Sequence, residues 1–595
     1  MRPLPKNAIC ATRPGEEGIA LVLATVLVAV ALMTVGVLCN FLVGEVRHVN
    51  MFTDRERCFQ ALENAIYLSR AELEAGEDGA IGLDSWLEEN QRGAGAGVRW
   101  PAFGDTGLSP LQLDSMANTE GGGRDPAEVR GGGRDPAEVF ALAEAYPFSS
   151  ADIGTPLEPG IKKTRQLYVI RVGARCAKLV RRAEAVVRGT DAGVWNNALF
   201  AGTGFGMGVV SGPAELCGSV HILGDATASE GVTPPTCVLD LSEGGIYNTW
   251  RDIPKEMAVL VMPPQSGWVS GEEVRSLDAV FRVRNGLVRM SEDACVGLPH
   301  VPGNGDKETL AGVYTGTRWM SEGTLSEEKD VLATKIHSDN GWNQDYDLDR
   351  ETAFPRLDDT WNNPHTGKEV WDAERNQPYT YQRYFEEVLA GAPDDPDDGI
   401  YEGDLVINAD GPALCWNAWT GAVAQGVNEN LMPGSETDFL QYDPATRVLT
   451  VNGHLVVRGN LVFEQGREPA AIRYAGRGIV LVEGNAILNS DLLPRAAHGM
   501  GPVFPKMNFL GIVSSDTMLI GTKAPVRLVG AFYAQNRMIF VEHAVVLGTV
   551  VSNFFDMGRQ VPMIGQIPEW VEHLPEGLPG ARRVWKIVPV IWREV

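Results

Sequence analysis

Five stretches in the last third of the chain follow one plan: GHLVVRGNLVF from Gly453, GIVLVEGNAIL from Gly478, GIVSSDTMLI from Gly511, GAFYAQNRMIF from Gly530 and GTVVSNFFDM from Gly548. Each opens on glycine, runs three or four mostly apolar residues, turns through Asn, Asp, Gln or Ser, and usually resumes apolar. Their starts lie 25, 33, 19 and 18 residues apart, which suits one coil per repeat plus loops of varying length. A unit this short cannot bury an apolar face alone, so stacked neighbours must do it, and the self-similarity predicts a solenoid over 401–560. Runs such as GIVLV are nearly continuous in apolar residues, as strands of a parallel sheet covered on both faces tend to be. A parallel β-helix is therefore the expected form. A β-sandwich, with strands every 8–12 residues or so, is the alternative. The tail 561–595, with RRVWKIVPVIWREV, is expected to be a last strand-like cap.

The other end of the chain imposes a second constraint. Ile19 to Gly44 is a run of 26 residues without a charge. As a helix at about 1.5 Å per residue it extends roughly 39 Å, enough to cross a bilayer with tilt. It is too long for a secretory h-region of about 7–15 residues, and Asn40 and Phe41 stand where a small-residue cleavage site is wanted. Leu38 before Cys39 argues against a lipoprotein site. Arg2, Lys6 and Arg13 precede the run, so the positive-inside rule keeps the N-terminus in the cytoplasm and exports the rest. Residues 45–75 hold neither Gly nor Pro, and Val46, Val49, Phe52, Phe59, Leu62, Ile66 and Leu73 form a heptad-like stripe. A plain anchor followed by a stalk helix is one reading of that continuous helix.

The order of a basic leader ending in Gly18, the span IALVLATVLVAVALMTVGV and the amphipathic RERCFQALENAIYLSRAELE resembles the N-terminal region of the PilX group of type IV minor pilins. The resemblance covers about 60 of 595 residues. It implies cleavage by prepilin peptidase between Gly18 and Ile19, and a long pilin-like helix over 19–76 that packs into a filament core. Other pilin or pseudopilin subunits, the peptidase and the inner membrane are the implied partners, with the body periplasmic and then extracellular. Two departures stand out. Most pilins carry Glu at the fifth mature position, where this chain has Leu23, and Glu16 and Glu17 sit in a leader that is normally basic. Cleavage after Gly15 stays open.

Between helix and repeats the text changes character. Residues 77–160 are rich in Gly, Asp and Pro, and GGGRDPAEV occurs at Gly121–Val129 and again at Gly131–Val139, as in a flexible loop that tolerates length change. Residues 161–240 are expected to begin a β-rich body, with Tyr168, Ile170 and Val172 on one strand and Ala183–Arg188 on its neighbour. GTGFGMG at 202–208 lacks the spacing and strand-to-helix context of a dinucleotide fingerprint. Residues 241–400, rich in Trp, Asp, Asn and Pro, are expected to be an inserted irregular region.

Chemistry is sparse. With 77 acidic against 51 basic residues, a net charge of −26, no basic stripe survives and a nucleic-acid partner is excluded. Acids within the repeats stand singly at turns (Glu483, Asp516, Glu542), without the pair that glycoside cleavage needs. No G-x-S-x-G, H-E-x-x-H or Walker loop occurs, so no catalytic residue, no bound cofactor and no enzyme is expected. Cys217 with His221, and Cys295 with His300, lack a second pair at zinc-site spacing. In DNGWNQDYDLDRE, Asp345, Asp347, Asp349 and Glu351 alternate as calcium ligands can, although Arg350 stands where an EF-hand loop needs Gly. A solvated acidic loop is the plainer reading. An oxidising compartment would allow isolated disulfides, and Cys217–Cys237 around a Gly/Pro-containing loop is the expected pair. The function expected is a minor-pilin-like subunit of a type IV pilus or secretion pseudopilus, at the tip or in assembly initiation. A surface β-helix protein that binds or cleaves polysaccharide is the alternative.

Overall fold

The computed structural model describes residues 25–30 and 32–35, positions 55, 59, 62 and 66, strands 140–147 and 167–176, and residues 179–594. Excepted from that last stretch are 206–207, 226–236, 242–243, 270–271, 292–293, 322–333, 349–351, 364–368, 391–399, 468–469, 498–500, 569 and 582–584. The cleavage residues Gly18 and Ile19, Leu23, the duplicated GGGRDPAEV and the acids Asp349 and Glu351 lie outside the described residues. Residues 25–30 and 32–35 are helical, and their aliphatic side chains are 53–71 % exposed. Among the described residues no helix is long and apolar enough to cross a membrane.

The rest is mainly β, dominated by one 27-stranded sheet whose strands pair in parallel between successive coils. Three columns of strands result: the second includes Leu405–Asn408, Leu461–Glu464, Ala486–Asn489, Thr517–Ile520, Cys237–Leu241 and Leu287–Met290, and the third includes Ile472–Ala475, Leu492–Pro494, Met563–Gly565, Ala214–Cys217 and Gly244–Tyr247. The first runs from Ile400–Glu402 through Val448–Arg458, Arg477–Val482, Phe509–Ser514, Val526–Phe540 and Ala544–Asp556. There it meets Leu199–Ala201 and continues through Val220–Ile222 and Val280–Val283 to Gly312–Tyr314. The chain therefore enters the stack near its middle at residue 199 and winds out to one end. It crosses to the opposite end and winds back until Ala544–Asp556 lies on the coil where it began. The seam is fastened by Thr549, whose hydroxyl donates to the carbonyls of Trp195 (2.9 Å) and Asn197 (2.5 Å). Trp570 Nε1 also donates to the Trp195 carbonyl at 2.9 Å.

Alternation along the first column explains the continuous apolar runs. Paired in register are Leu455, Val480, Ile512, Phe532, Val550, Leu199, Val220, Phe281 and Val313, all within 1 % of full burial inside the stack. Each fully buried side chain of this size contributes about 1.5–3 kcal/mol. The next residue along each strand points to the opposite face, and all of those but the half-buried Tyr314 are buried too, because another segment covers them. The glycine that opens each repeat has a steric cause: at Gly548, with φ +139°, a Cβ would fall 1.9 Å from the Gly530 carbonyl oxygen. The polar turn that follows forms a ladder. Asn460 N–H donates to Asp404 Oδ1 (2.8 Å), Asn485 N–H to Asn460 Oδ1 (2.9 Å) and Asn536 Nδ2 to Asp516 Oδ1 (2.8 Å).

The expected adjacent strands near residue 170 are present: Leu167–Cys176 and Leu179–Asp191 pair antiparallel, with Val172 opposite Ala183. Two boundaries differ from expectation. Residues 244–321, placed in an irregular insertion, supply coil strands of two to four residues such as Gly244–Tyr247 and Leu287–Met290. Such short strands hold too few alternations for a period to show. The tail strand Trp585–Glu594 does not cap the coils but pairs with Leu179–Asp191, in a four-stranded sheet with Leu167–Cys176 and Phe140–Pro147. The strands that lead into and out of the body thus lie side by side.

Candidate functional site: a strap docked on the first column

The described residues of 334–348, 352–363 and 369–390 form a strap that returns the chain from one end of the stack to the other. It begins by closing the end at Gly312–Tyr314, where Leu310 bridges Ser338 and Tyr314 bridges Gln344 in parallel. It then lies across the outward row of the first column, whose members in register include Arg282, His221, Phe200, Val551 and Tyr533.

Arg282 sits in the strand VFRV, where a charge facing out of an apolar column must find a counter-ion. Its Nε and Nη2 donate to Asp347 Oδ1 and Oδ2 at 2.8 and 3.0 Å, with side chains only 7 % and 11 % exposed. The Tyr314 ring lies 5.4 Å from the same guanidinium. One coil further, His221 Nε2 is 2.7 Å from the Tyr346 hydroxyl, and the imidazole stands edge-on to Phe200 at 4.9 Å. Burial holds His221 well below its usual pKa, and Arg282 and Arg284 push the same way, so the ring stays neutral. Burial likewise pushes Tyr346 up to about 12. The pair is a neutral hydrogen bond, and His221 Nδ1 is buried without a partner. Arg284 Nη1 donates to the Thr352 carbonyl at 3.2 Å.

Further along, Phe354 stacks on Tyr533 with centroids 5.8 Å apart, and the Tyr533 hydroxyl donates to the Pro355 carbonyl at 2.6 Å. Leu357 N–H donates to Gln535 Oε1 at 3.0 Å. A short helix, Tyr381–Tyr384, is capped by Thr380, whose side chain accepts from Arg383 N–H. It places Tyr381 against the Gly577 carbonyl and leads to Phe385, which packs edge-on to His454 at 5.5 Å. His454 Nε2 meets the Glu576 carbonyl at 2.6 Å, and burial lowers its pKa.

The arrangement binds chain to chain. Of the four expected calcium ligands Asp345 and Asp347 are described: Asp347 gives both oxygens to Arg282, and Asp345 lies against Gly316, where a Cβ would come within 3.1 Å of its Oδ1. Among the described residues no group of three His, Cys, Asp or Glu side chains is placed to hold a metal. The expected Cys217–Cys237 bridge is not formed, and both thiols are free. Cys217 lies opposite Tyr247 in the third column, whereas Cys237 lies opposite Leu287 in the second, so they occupy different faces of the stack. Sequence reasoning missed Arg282 and Tyr346, and named His221 only beside Cys217, whereas it meets Tyr346. The available signal was a lone Arg in the apolar strand VFRV, with an aromatic among the acids of QDYD at 344–347.

No protein-family model and no curated protein matches the chain. Among solved structures, the crystal structure of the competence-associated pilin ComZ from Thermus thermophilus is similar at a TM-score of 0.45 and 17 % identity, covering 78 % of this chain and 85 % of that one.

Proposed function

We propose that this chain is a minor-pilin-like subunit of a type IV filament or related secretion pseudopilus, with a parallel β-helical body carried on an N-terminal helix. One observation supports the reading above others: on helical residues 25–35, described except for residue 31, Val26, Leu27, Val28, Val30, Leu32, Met33 and Val35 are all at least half exposed. An apolar helix uncovered on all sides needs a lipid or protein environment. In the minor-pilin reading it has both in turn, the inner membrane before assembly and neighbouring subunits after. The pairing of Leu179–Asp191 with Trp585–Glu594 also supports display of the body from a single attachment, since the strands that lead into and out of it run side by side.

Leu23 favours a tip or initiation position. In a shaft, the acid at that position is held to neutralise the ammonium of a neighbouring subunit, and leaving a buried charge unpaired costs about 3–5 kcal/mol. At the tip no such neighbour exists. Mass spectrometry of the membrane fraction tests the reading. A mature terminus at Ile19, lost in Gly18→Lys, is expected; a terminus near residue 40 indicates an ordinary signal peptide and overturns it. Immunogold label is expected at filament ends, and uniform label along the shaft refutes the tip position.

A further inference from the structure

At the end of the stack opposite the strap's closure, the third column finishes in an antiparallel hairpin, with Ala422–Gln425 the outermost strand. It pairs with Leu414–Asn417 on one side only, and all four of its residues are exposed. Gly426 N–H donates to the Ala413 carbonyl. By antiparallel alternation, Ala424 and Ala422 then bond to the neighbouring strand, and Val423 and Gln425 present their N–H and C=O groups outward. Exposed strand edges are ordinarily guarded by charge, proline or cover. Of the other described edges, Gly312–Tyr314 is covered by residues 338–344, Ile400–Glu402 and Glu272–Ser276 carry acids, and Gln377–Pro378 ends in proline. Gly421–Asn428, GAVAQGVN, has no charge at all in a chain of net charge −26.

We propose that this edge is a dimerisation surface, and that its occupant is the same strand of a second copy. The sequence is self-complementary about Ala424. An antiparallel pair with Val423 opposite Gln425 of the second copy, and Ala424 opposite Ala424 on the two-fold axis, makes four backbone hydrogen bonds. It sets the smallest side chain against itself, where a bulky or charged one would clash. The contact is isologous and closes at two copies, because the opposite end of each stack is already covered by the strap. The neutral octet lets two strongly acidic bodies meet without apposing carboxylates in the pairing itself.

The experiment is sedimentation velocity of the full chain in mild detergent. A concentration-dependent dimer is expected. Ala424→Asp and Ala424→Lys set like charges directly opposite each other, and both should weaken it at least about tenfold with unchanged thermal unfolding. Val423→Pro, which removes an outward N–H, should do the same. Raising salt from about 0.1 to 1 M shrinks the Debye length from ~10 to ~3 Å and should strengthen the dimer by screening the two acidic bodies. The proposal is overturned by a wild-type monomer at about 100 μM, above most functional dissociation constants. Dimers unaffected by either Ala424 variant, or a dimer that salt weakens, overturn it equally.

Discussion

Removing one partner of the Arg282–Asp347 pair should cost far more than removing both. In Asp347→Asn the guanidinium stays 7 % exposed with its counter-ion gone, and stranding a buried charge typically costs about 3–5 kcal/mol. The nearby Arg284, on the same strand end, adds repulsion rather than relief. In the double variant Arg282→Met/Asp347→Leu the charge is gone and the volume nearly kept, and such replacements are typically neutral or stabilising. The loss should be local, because Asp347 lies on the strap and the coil beneath it keeps its own ladder. Amide exchange is therefore the right assay. At about 1.4 kcal/mol per power of ten, protection of residues 338–348 should fall by roughly two to three and a half powers of ten in Asp347→Asn, with amides of Ile479–Val482 unchanged. The double variant should exchange like the wild type. Equal loss in single and double variants would refute the account of a stranded charge, and no loss in either would refute the docking role of the pair.

Acid should loosen the same station. His221 and His454 both have folded pKa values lowered by burial, so the unfolded chain binds their protons first; stability is full above about pH 6.5 and declines as pH falls below it. Urea midpoints between pH 7.5 and 5 should show that slope, and His221→Phe should flatten part of it. Iodoacetamide labelling of the native protein should find no Cys217–Cys237 disulfide, and Cys217, buried with its thiol pushed up to about 12, should label only on unfolding. Ile512→Ala, deep in the inward row, should cost about 2–5 kcal/mol in denaturant unfolding. Because Asp347 is committed to Arg282, 10 mM calcium should not supply the ~1.4 kcal/mol expected of a site with a millimolar dissociation constant; a raised melting temperature would show that Asp349 and Glu351 complete a site.

The coils were legible where strands are long. Gly478–Val482 and Gly530–Ala534 carry enough apolar residues to show both the strand and its double burial, and the Asn and Asp turns are where the ladder forms. Residues 244–321 were illegible because strands such as Cys295–Val296 are two residues long, too short for any period. The strap was misread for another reason: its docking hydrogen bonds join residues 65 to 196 positions apart, as between Arg282 and Asp347 and between Tyr381 and Gly577. Nothing local in DYDLD distinguishes an acid awaiting calcium from one awaiting arginine. The free thiols follow likewise from coil geometry, since Cys217 and Cys237 fall in different columns of the stack.

Entry at mid-stack has a consequence for how the body is made. The coil at 199–217 is among the first synthesised, yet its lower neighbour, Ala544–Asp556, arrives more than 300 residues later, with Thr549 and Trp195 separated by 354 positions. Until then one flank of the early coils has no strand beneath it. Closing contacts of that sequence separation is slow, and unpaired strand edges invite aggregation meanwhile. The half that winds outward from 199 and the half that winds inward from 400 can each grow coil by coil, but they become one stack only when the last fifty residues emerge. A chain cut short before residue 544 should therefore leave two open halves rather than a shortened body, which makes the C-terminal coil the step that commits the whole protein to its fold.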